Sequence, residues 1–286
     1  MKLRFLGTAA GGGAPQWNCG CPVCESARAA GVSRTQDCVA VSGDGTAWYL
    51  VNASADLRAQ LLATPELRPP PGTRDTPVRG VLFTSAELDH TLGLLGLREA
   101  AALDVYATAC VHEALTTAFP LQAVLAGYTR VHRHDVRDGE PIELAGGLRV
   151  TATVLSAKRP RYASASAAGN SVCAYRFDAD GRSFVYAPGL AIWSPEFEKA
   201  IAGADVVALD GTFFTEDEMG ATRPASGMGH LAVREQLPLI AARPGPRFLF
   251  THLNNTNPLV LADAPELAEV TAAGAAVAAD RLLIEL

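Results

Sequence analysis

The stretch from Val81 to Glu99, VLFTSAELDHTLGLLGLRE, sets Glu87, Asp89 and His90 directly after a short apolar run. Carboxylate oxygen and imidazole nitrogen both bind divalent metals, which makes this turn a candidate metal site. The plainer alternative is a solvated turn that caps a helix. Two other apolar runs end in the same way, Val206–Leu209 at Asp210 and Arg247–Thr251 at His252. In an open α/β sheet, ligands and catalytic groups gather at the carboxyl ends of strands. Recurrence at three strand ends favours one shared centre. Two carboxylates and two imidazoles suit Zn, Fe or Mn.

A second group of soft ligands lies near the amino end. Cys19, Cys21 and Cys24 form C-x-C-x2-C in a loop rich in glycine and proline. Three thiolates so close can grip Zn tetrahedrally with one further ligand, and in a reducing compartment such clusters bind metal rather than form disulfides. The expectation is structural Zn, with the fourth ligand open. His230, after Met228-Gly229 at a helix start, is a chemically good donor, but it is also placed for acid–base or substrate work. Cys38, Cys110 and Cys173 stand in apolar surroundings and read as buried thiols. Gly11-Gly12-Gly13 follows the first strand without a phosphate-binding fingerprint.

The elements that must position these groups follow from pattern. Apolar runs predict strands at Lys2–Leu6, Val39–Ser42, Ala47–Val51, Val81–Phe83, Leu103–Tyr106, Leu148–Leu155, Val172–Phe177, Phe184–Tyr186, Val206–Leu209, Arg247–Thr251 and Arg281–Leu286. Gly43-Asp44-Gly45 reads as a hairpin turn. Helices are expected from near Leu92, over Ala55–Ala63 with Ser54 as N-cap, over Thr108–Thr117, around Phe119–Leu125, over Leu231–Leu237 until Pro238 ends or kinks it, and over Ala264–Ala273. Lys158–Gly169 is basic, then rich in Ala and Ser, and reads as a loop beside the site. Its Lys158–Arg161 part and Trp17 are candidates to line a pocket. Strands pair early and alternate with helices later. One α/β domain over residues 1–286 is expected, with two mixed sheets and outer helices in four layers.

Composition narrows the partners. The 286 residues are 49% hydrophobic and only 7% aromatic, so the core rests on Ala, Val and Leu. Net charge is −6 without a basic block, which argues against nucleic acid. No apolar run approaches the roughly 20 residues of a membrane span, and the apolar segment in MKLRFLGTAAGGG is too short for the core of a secretory signal. The expectation is a cytoplasmic protein with no membrane partner.

T-S-A-E-L-D-H, followed by Gly93, resembles the metallo-β-lactamase-fold signature T-H-x-H-x-D-H-x-x-G with both leading histidines replaced, by Ser85 and Glu87. L-G-T-A-A-G-G-G-A-P-Q-W-N-C-G-C-P-V-C, Asn52-Ala53-Ser54, Met228-Gly229-His230-Leu231 and T-H-L-N-N-T-N-P resemble, more specifically, the PqqB family of pyrroloquinoline quinone (PQQ) biosynthesis, through essentially the whole chain. The resemblance implies a four-layer αββα sandwich. It implies that the second metal position of a dinuclear hydrolase survives as Asp89, His90, Asp210 and His252, while the first is lost. It further implies a single Fe(II) or another divalent metal, and hydroxylation of a tyrosine ring on a small-molecule or short-peptide precursor. Ser85, Glu87 and His230 would then be catalytic neighbours, Glu87 being able to reach the vacated position. Likeness to a phosphodiesterase of the superfamily makes Asn255 a candidate fourth ligand of the cysteine site. Two rivals follow: a metal-dependent phosphodiesterase or other hydrolase, and a non-catalytic carrier of the finished quinone. The number of metals at the site separates them.

Overall fold

The computed structural model describes residues 1–164 and 169–286, so part of the expected Lys158–Gly169 loop lies outside the described residues. The described residues form fourteen strands: β1 (Lys2–Gly7), β2 (Cys38–Ser42), β3 (Trp48–Val51), β4 (Val78–Leu82), β5 (Ala102–Ala107), β6 (Arg130–Asp135), β7 (Pro141–Leu144), β8 (Leu148–Ser156), β9 (Val172–Ala179), β10 (Arg182–Ala187), β11 (Val206–Asp210), β12 (Arg247–Thr251), β13 (Ala275–Val277) and β14 (Leu283–Glu285). They form two seven-stranded sheets, ordered β14-β1-β2-β3-β4-β5-β6 and β13-β12-β11-β10-β9-β8-β7.

Both sheets are covered on both faces, which is why their central strands read as unbroken apolar runs. Phe5, Val39, Val41 and Val51 point inward and meet Tyr175, Phe177, Phe184 and Tyr186 of the other sheet. The alternate residues point outward. Ala40, Leu50 and Val105 pack beneath Leu57, Leu94 and Leu115, and Val185, Val207 and Phe250 beneath Phe197, Val233 and Ile240. The result is the expected αββα order of layers. Each Val, Leu, Ile or Phe side chain buried here contributes about 1.5–3 kcal/mol.

The two halves share a topology. In β1–β6 two antiparallel pairings are followed by three parallel ones, and β8–β13 repeat that series. Each half adds one antiparallel edge strand, β14 on β1 and β7 on β8. The metal-ligand candidates leave the carboxyl ends of parallel strands in both halves, namely β4, β11 and β12.

Several local expectations need correction. The helix after β4 begins at Leu88 rather than near Leu92, and it tightens to a 3₁₀ stretch over Leu92–Leu97. Ser54 is not an N-cap: the helix is Leu57–Ala63, preceded by Asp56 without a side-chain cap. Pro238 does not end its helix, which runs Val233–Ala241 with the proline inside it. One ladder bond is forgone there, and burial of Val233, Leu237 and Ile240 holds the helix in place. The cysteine loop runs directly into a helix, Pro22–Ala30, capped by Cys21 and carrying Cys24 inside it. Cys110 is half-buried, unlike Cys38 and Cys173.

Candidate metal centre

Asp89 and His90 lie in the short helix Leu88–Thr91 just after β4. That helix is held down by the Asn52-Ala53-Ser54 segment at the end of β3. The Ala53 N–H donates to the His90 carbonyl at 2.6 Å, and the Gly93 N–H donates to the Ala53 carbonyl at 2.8 Å. A Cβ at Gly93 would stand 1.9 Å from the Ser54 carbonyl oxygen, so only glycine permits this approach. His252 follows β12 with φ +58°, a left-handed backbone that costs a non-glycine residue about 1–2 kcal/mol. The glycine-rich loop after β1 braces it: the Leu253 N–H donates to the Thr8 carbonyl and the Ala10 N–H to the Leu253 carbonyl, both at 2.8 Å. The same loop lays Gly11 against the Asp89 carboxylate.

The side chains converge. His90 Nε2 and His252 Nε2 are 3.3 Å apart, with Asp89 Oδ2 at 3.4 Å from the latter and 4.0 Å from the former. Asp210 Oδ2 is 2.7 Å from His230 Nδ1, and the His230 ring stacks on His252 at 5.9 Å between centroids. Asp89, His90 and His252 form one group of potential ligands, and Asp210, His230 and His252 an overlapping one. His230 therefore belongs to this centre and is not the fourth ligand of the cysteine cluster.

Hydroxyl groups behind the rings set which nitrogen faces inward. The Thr212 hydroxyl donates to Asp210 Oδ1 at 2.6 Å, which leaves its oxygen to accept from His252 Nδ1 at 2.8 Å. The Thr84 hydroxyl donates to Asn52 Oδ1 at 3.0 Å, and its oxygen together with Ser85 Oγ faces His90 Nδ1 at 3.2 and 2.8 Å. Each ring thus presents an Nε2 lone pair to the other. Two lone pairs at this separation repel unless a cation or proton lies between them. The donor set fits a divalent transition metal, with the hydroxyls as the supporting partners that such ligands require.

Charge in the centre agrees. Burial lowers His90 to about 4, outweighing the Asp89 carboxylate, so the ring is neutral as a ligand must be. Burial also opposes a charge on His252, but its hydrogen bond to Asp89 and the carboxylates of Asp37, Asp89 and Asp210 prevail and raise it to about 9. Burial would raise Asp89, yet the two imidazoles hold its carboxyl well below the usual range. Without metal, a proton on His252 stands where the cation would.

One residue of this centre carries no motif. Asp37, fully buried just before β2, accepts from the Tyr186 hydroxyl at 2.5 Å, Asn52 Nδ2 at 3.2 Å and the Thr251 hydroxyl at 3.2 Å. It joins Asn52, which orients Thr84 behind His90, to the residue preceding His252. Burial raises Asp37 to about 6, against the pull of His252 and these hydrogen bonds.

A cavity of about 720 Å³ opens over the centre, lined among others by Glu87, Lys158, Arg161, Phe213 and His230. Ser85 Oγ accepts from His90 Nδ1, which makes it a positioning group. Burial raises Glu87, partly offset by Lys158. Trp17, 86% exposed, does not line the cavity.

Cys19, Cys21 and Cys24 also come together, with sulfurs close enough to share an ion. The Cys24 N–H donates to Cys21 Sγ at 3.4 Å, the helix cap noted above. Asn255 reaches the cluster, its side-chain nitrogen 3.3 Å from Cys24 Sγ and its backbone carbonyl 3.6 Å from the same sulfur. Asn255 lies three residues beyond His252 on one loop, so both centres share a support.

Two sheets in four layers, with potential ligands at three strand ends, define a metallo-β-lactamase-type protein, and the beta-lactamase superfamily domain matches residues 47–253. Across its full length the chain is 40% identical to the coenzyme PQQ synthesis protein B of Cupriavidus necator, covering 100% of this chain and 99% of the relative. The chain belongs to the coenzyme PQQ synthesis protein B family. The Zn(2+)-bound PqqB of Methylobacterium extorquens superposes with a TM-score of 0.91 at 35% identity, covering 100% of both chains. A diphosphatase of the PhnP family shares the fold alone, with a TM-score of 0.73 and 21% identity over 100% of this chain and 96% of its own.

Proposed function

We propose that this chain acts in pyrroloquinoline quinone biosynthesis as a mononuclear metal-dependent hydroxylase of a tyrosine ring, on a small-molecule or short-peptide precursor derived from Glu-Tyr. The family name of its relatives supports the pathway. The observation that carries the reaction type is the apposition of His90 Nε2 and His252 Nε2 beside Asp89, where Ser85 is turned onto His90 and leaves no imidazole for a first hydrolase-type metal. Asp89, His90, Asp210 and His252 would hold Fe(II) or another divalent metal, close to the two-histidine, one-carboxylate set of non-haem iron oxygenases. When bound, such an ion would supply activation of dioxygen, one atom of which enters the ring while the other leaves as water with two electrons from a reductant in solution. The protein does the rest. His230 donates its Nδ1 hydrogen to Asp210, which leaves Nε2 to accept the phenol proton. Phe213, edge-on to His230 at 5.8 Å, offers an apolar wall for the ring. Cys19, Cys21 and Cys24 would hold structural Zn with Asn255 as the fourth partner.

One observation favours a second reading. His252 is shared between two three-ligand groups, and a second ion at Asp210 and His230 would make the centre a hydrolase of phosphodiester type. Metal stoichiometry decides. The chain purified anaerobically is expected to carry about one Fe and one Zn. His90→Ala with His252→Ala is expected to lose the Fe and keep the Zn. Loss of two metals from the active centre would overturn the hydroxylase in favour of the hydrolase. Zn at the cysteines with nothing else bound in the wild type would leave a carrier of the quinone.

A further inference from the structure

The cavity over the centre has one wall that the chemistry above does not use. Lys158, Arg159 and Arg161 line it on a single strap that runs into the 3₁₀ turn Arg161–Ala163. The strap is tied at both ends. Lys158 Nζ donates to the Met228 carbonyl, and the Tyr162 hydroxyl donates to the Ala86 carbonyl beside Glu87. Gly229, at φ +84°, makes room for it, since a Cβ there would stand 2.4 Å from Lys158 Cδ.

The chain is acidic overall, with 30 Asp and Glu against 24 Lys and Arg, and several of its guanidiniums find carboxylates, though others on the surface do not. Arg182 pairs with Asp205 at 2.9 Å and Arg234 with Glu269 at 2.8 Å, and Arg243 pairs with Glu198. Among the described residues, no carboxylate lies within ion-pair distance of Lys158, Arg159 or Arg161. Glu87 answers the Lys158 charge only from further away. Two guanidinium forks are left at the mouth of a metal-centred cavity in a protein rich in acids. A guanidinium matches a carboxylate in a bidentate pair, which a surface lysine does not.

We propose that Arg159 and Arg161, steadied by Lys158, form a carboxylate clamp, and that the ligand of this cavity is a small aromatic anion carrying at least two carboxylates. The clamp would seat the anionic end at the mouth and leave the ring over His230 and the metal ligands. This deepens the function proposed above and rests on it for the identity of the substrate, not for its charge.

The test uses the purified, metal-containing full chain and trimesate, an aromatic tricarboxylate, followed by titration calorimetry. The wild type is expected to bind trimesate more tightly at low salt than at high salt, and its trimethyl ester not at all. Arg161→Gln is expected to weaken binding about tenfold, and Arg159→Gln with Arg161→Gln about a hundredfold, with metal content and thermal midpoint unchanged. Arg161→Lys keeps the charge without the fork and is expected to fall between. Variants that titrate like the wild type, an ester that binds as well as the acid, or a wild type blind to millimolar trimesate would each overturn the clamp. Trimesate binding that depends on the strap, without hydroxylation of a Glu-Tyr dipeptide, would keep the clamp and remove the hydroxylase. Hydroxylation that persists at wild-type KM in the double variant would do the reverse.

Discussion

Asp37 shows how much of this centre is set by residues that touch no ligand site. Three donors aim at a carboxylate with no access to water, and burial still raises it to about 6. The sign follows from proton binding. The folded chain holds the Asp37 proton to higher pH than the unfolded chain does, so folding is helped below the ordinary carboxylate range and that help is lost as pH rises through about 6. Asp37→Asn lacks this titration. With chelator present, the stability of the variant relative to wild type is expected to rise between about pH 4 and pH 7, by roughly 3 kcal/mol at most. Urea unfolding at several pH values measures it, and a difference independent of pH would mean that Asp37 ionises as an ordinary carboxylate. Such a residue is hard to find in sequence. T-Q-D-C before a strand looks like any polar turn, whereas Asp89-His90, Asp210 and His252 stand out because their types bind metal and each ends an apolar run. His230 was visible as chemistry, but its place beside Asp210 is set by the long loop that precedes it. No local pattern encodes that.

At the scale of elements, the short helix of Asp89 and His90 depends on one close approach. Gly93 packs against the backbone of Ala53 and Ser54, the same segment whose Asn52 orients Thr84 behind His90. Gly93→Ala is therefore expected to cost about 3 kcal/mol or more and to weaken the active-centre metal, because relieving the clash moves the helix that carries two ligands. Gly96, three residues on, has nothing within 4 Å of a Cβ, and Gly96→Ala is expected to be near neutral. Thermal melts and metal content on the two variants check the pair, and equal behaviour would remove the packing argument. Central strands were legible because they are apolar on both faces. The edge strands β6, RVHRHD, and β7, PIEL, were not, since each leaves charged side chains in water and pairs on one side only. The helix Pro195–Ile201 was missed despite a Ser194 cap, a proline at its first position and two early glutamates, signals that outweigh its short length.

For the molecule as a whole, the repeated topology explains why the centre sits at a seam. Asp89 and His90 come from the first half, Asp210, His230 and His252 from the second, so an ion bound there ties the halves together. The cysteine cluster makes another tie, between the helix Pro22–Ala30 of the first half and the loop after β12 that carries Asn255. Nothing in the sequence announces the repeat, because only strand order and direction are shared. An ion that binds the folded chain and not the unfolded one stabilises it by about 2.7 kcal/mol when free metal is a hundredfold above Kd. For a chain of this size that is a rise in Tm of several degrees. Active-centre metal is expected to give that rise in the wild type and none in His252→Ala. Cys24→Ser, which removes one ligand of the ion proposed for the cysteines, is expected to lower Tm and also to weaken the active-centre metal, because Asn255 and His252 lie on one braced loop. Calorimetric scans at graded metal concentration read both effects, and a Cys24→Ser chain that binds active-centre metal as tightly as the wild type would show that the two ties act independently.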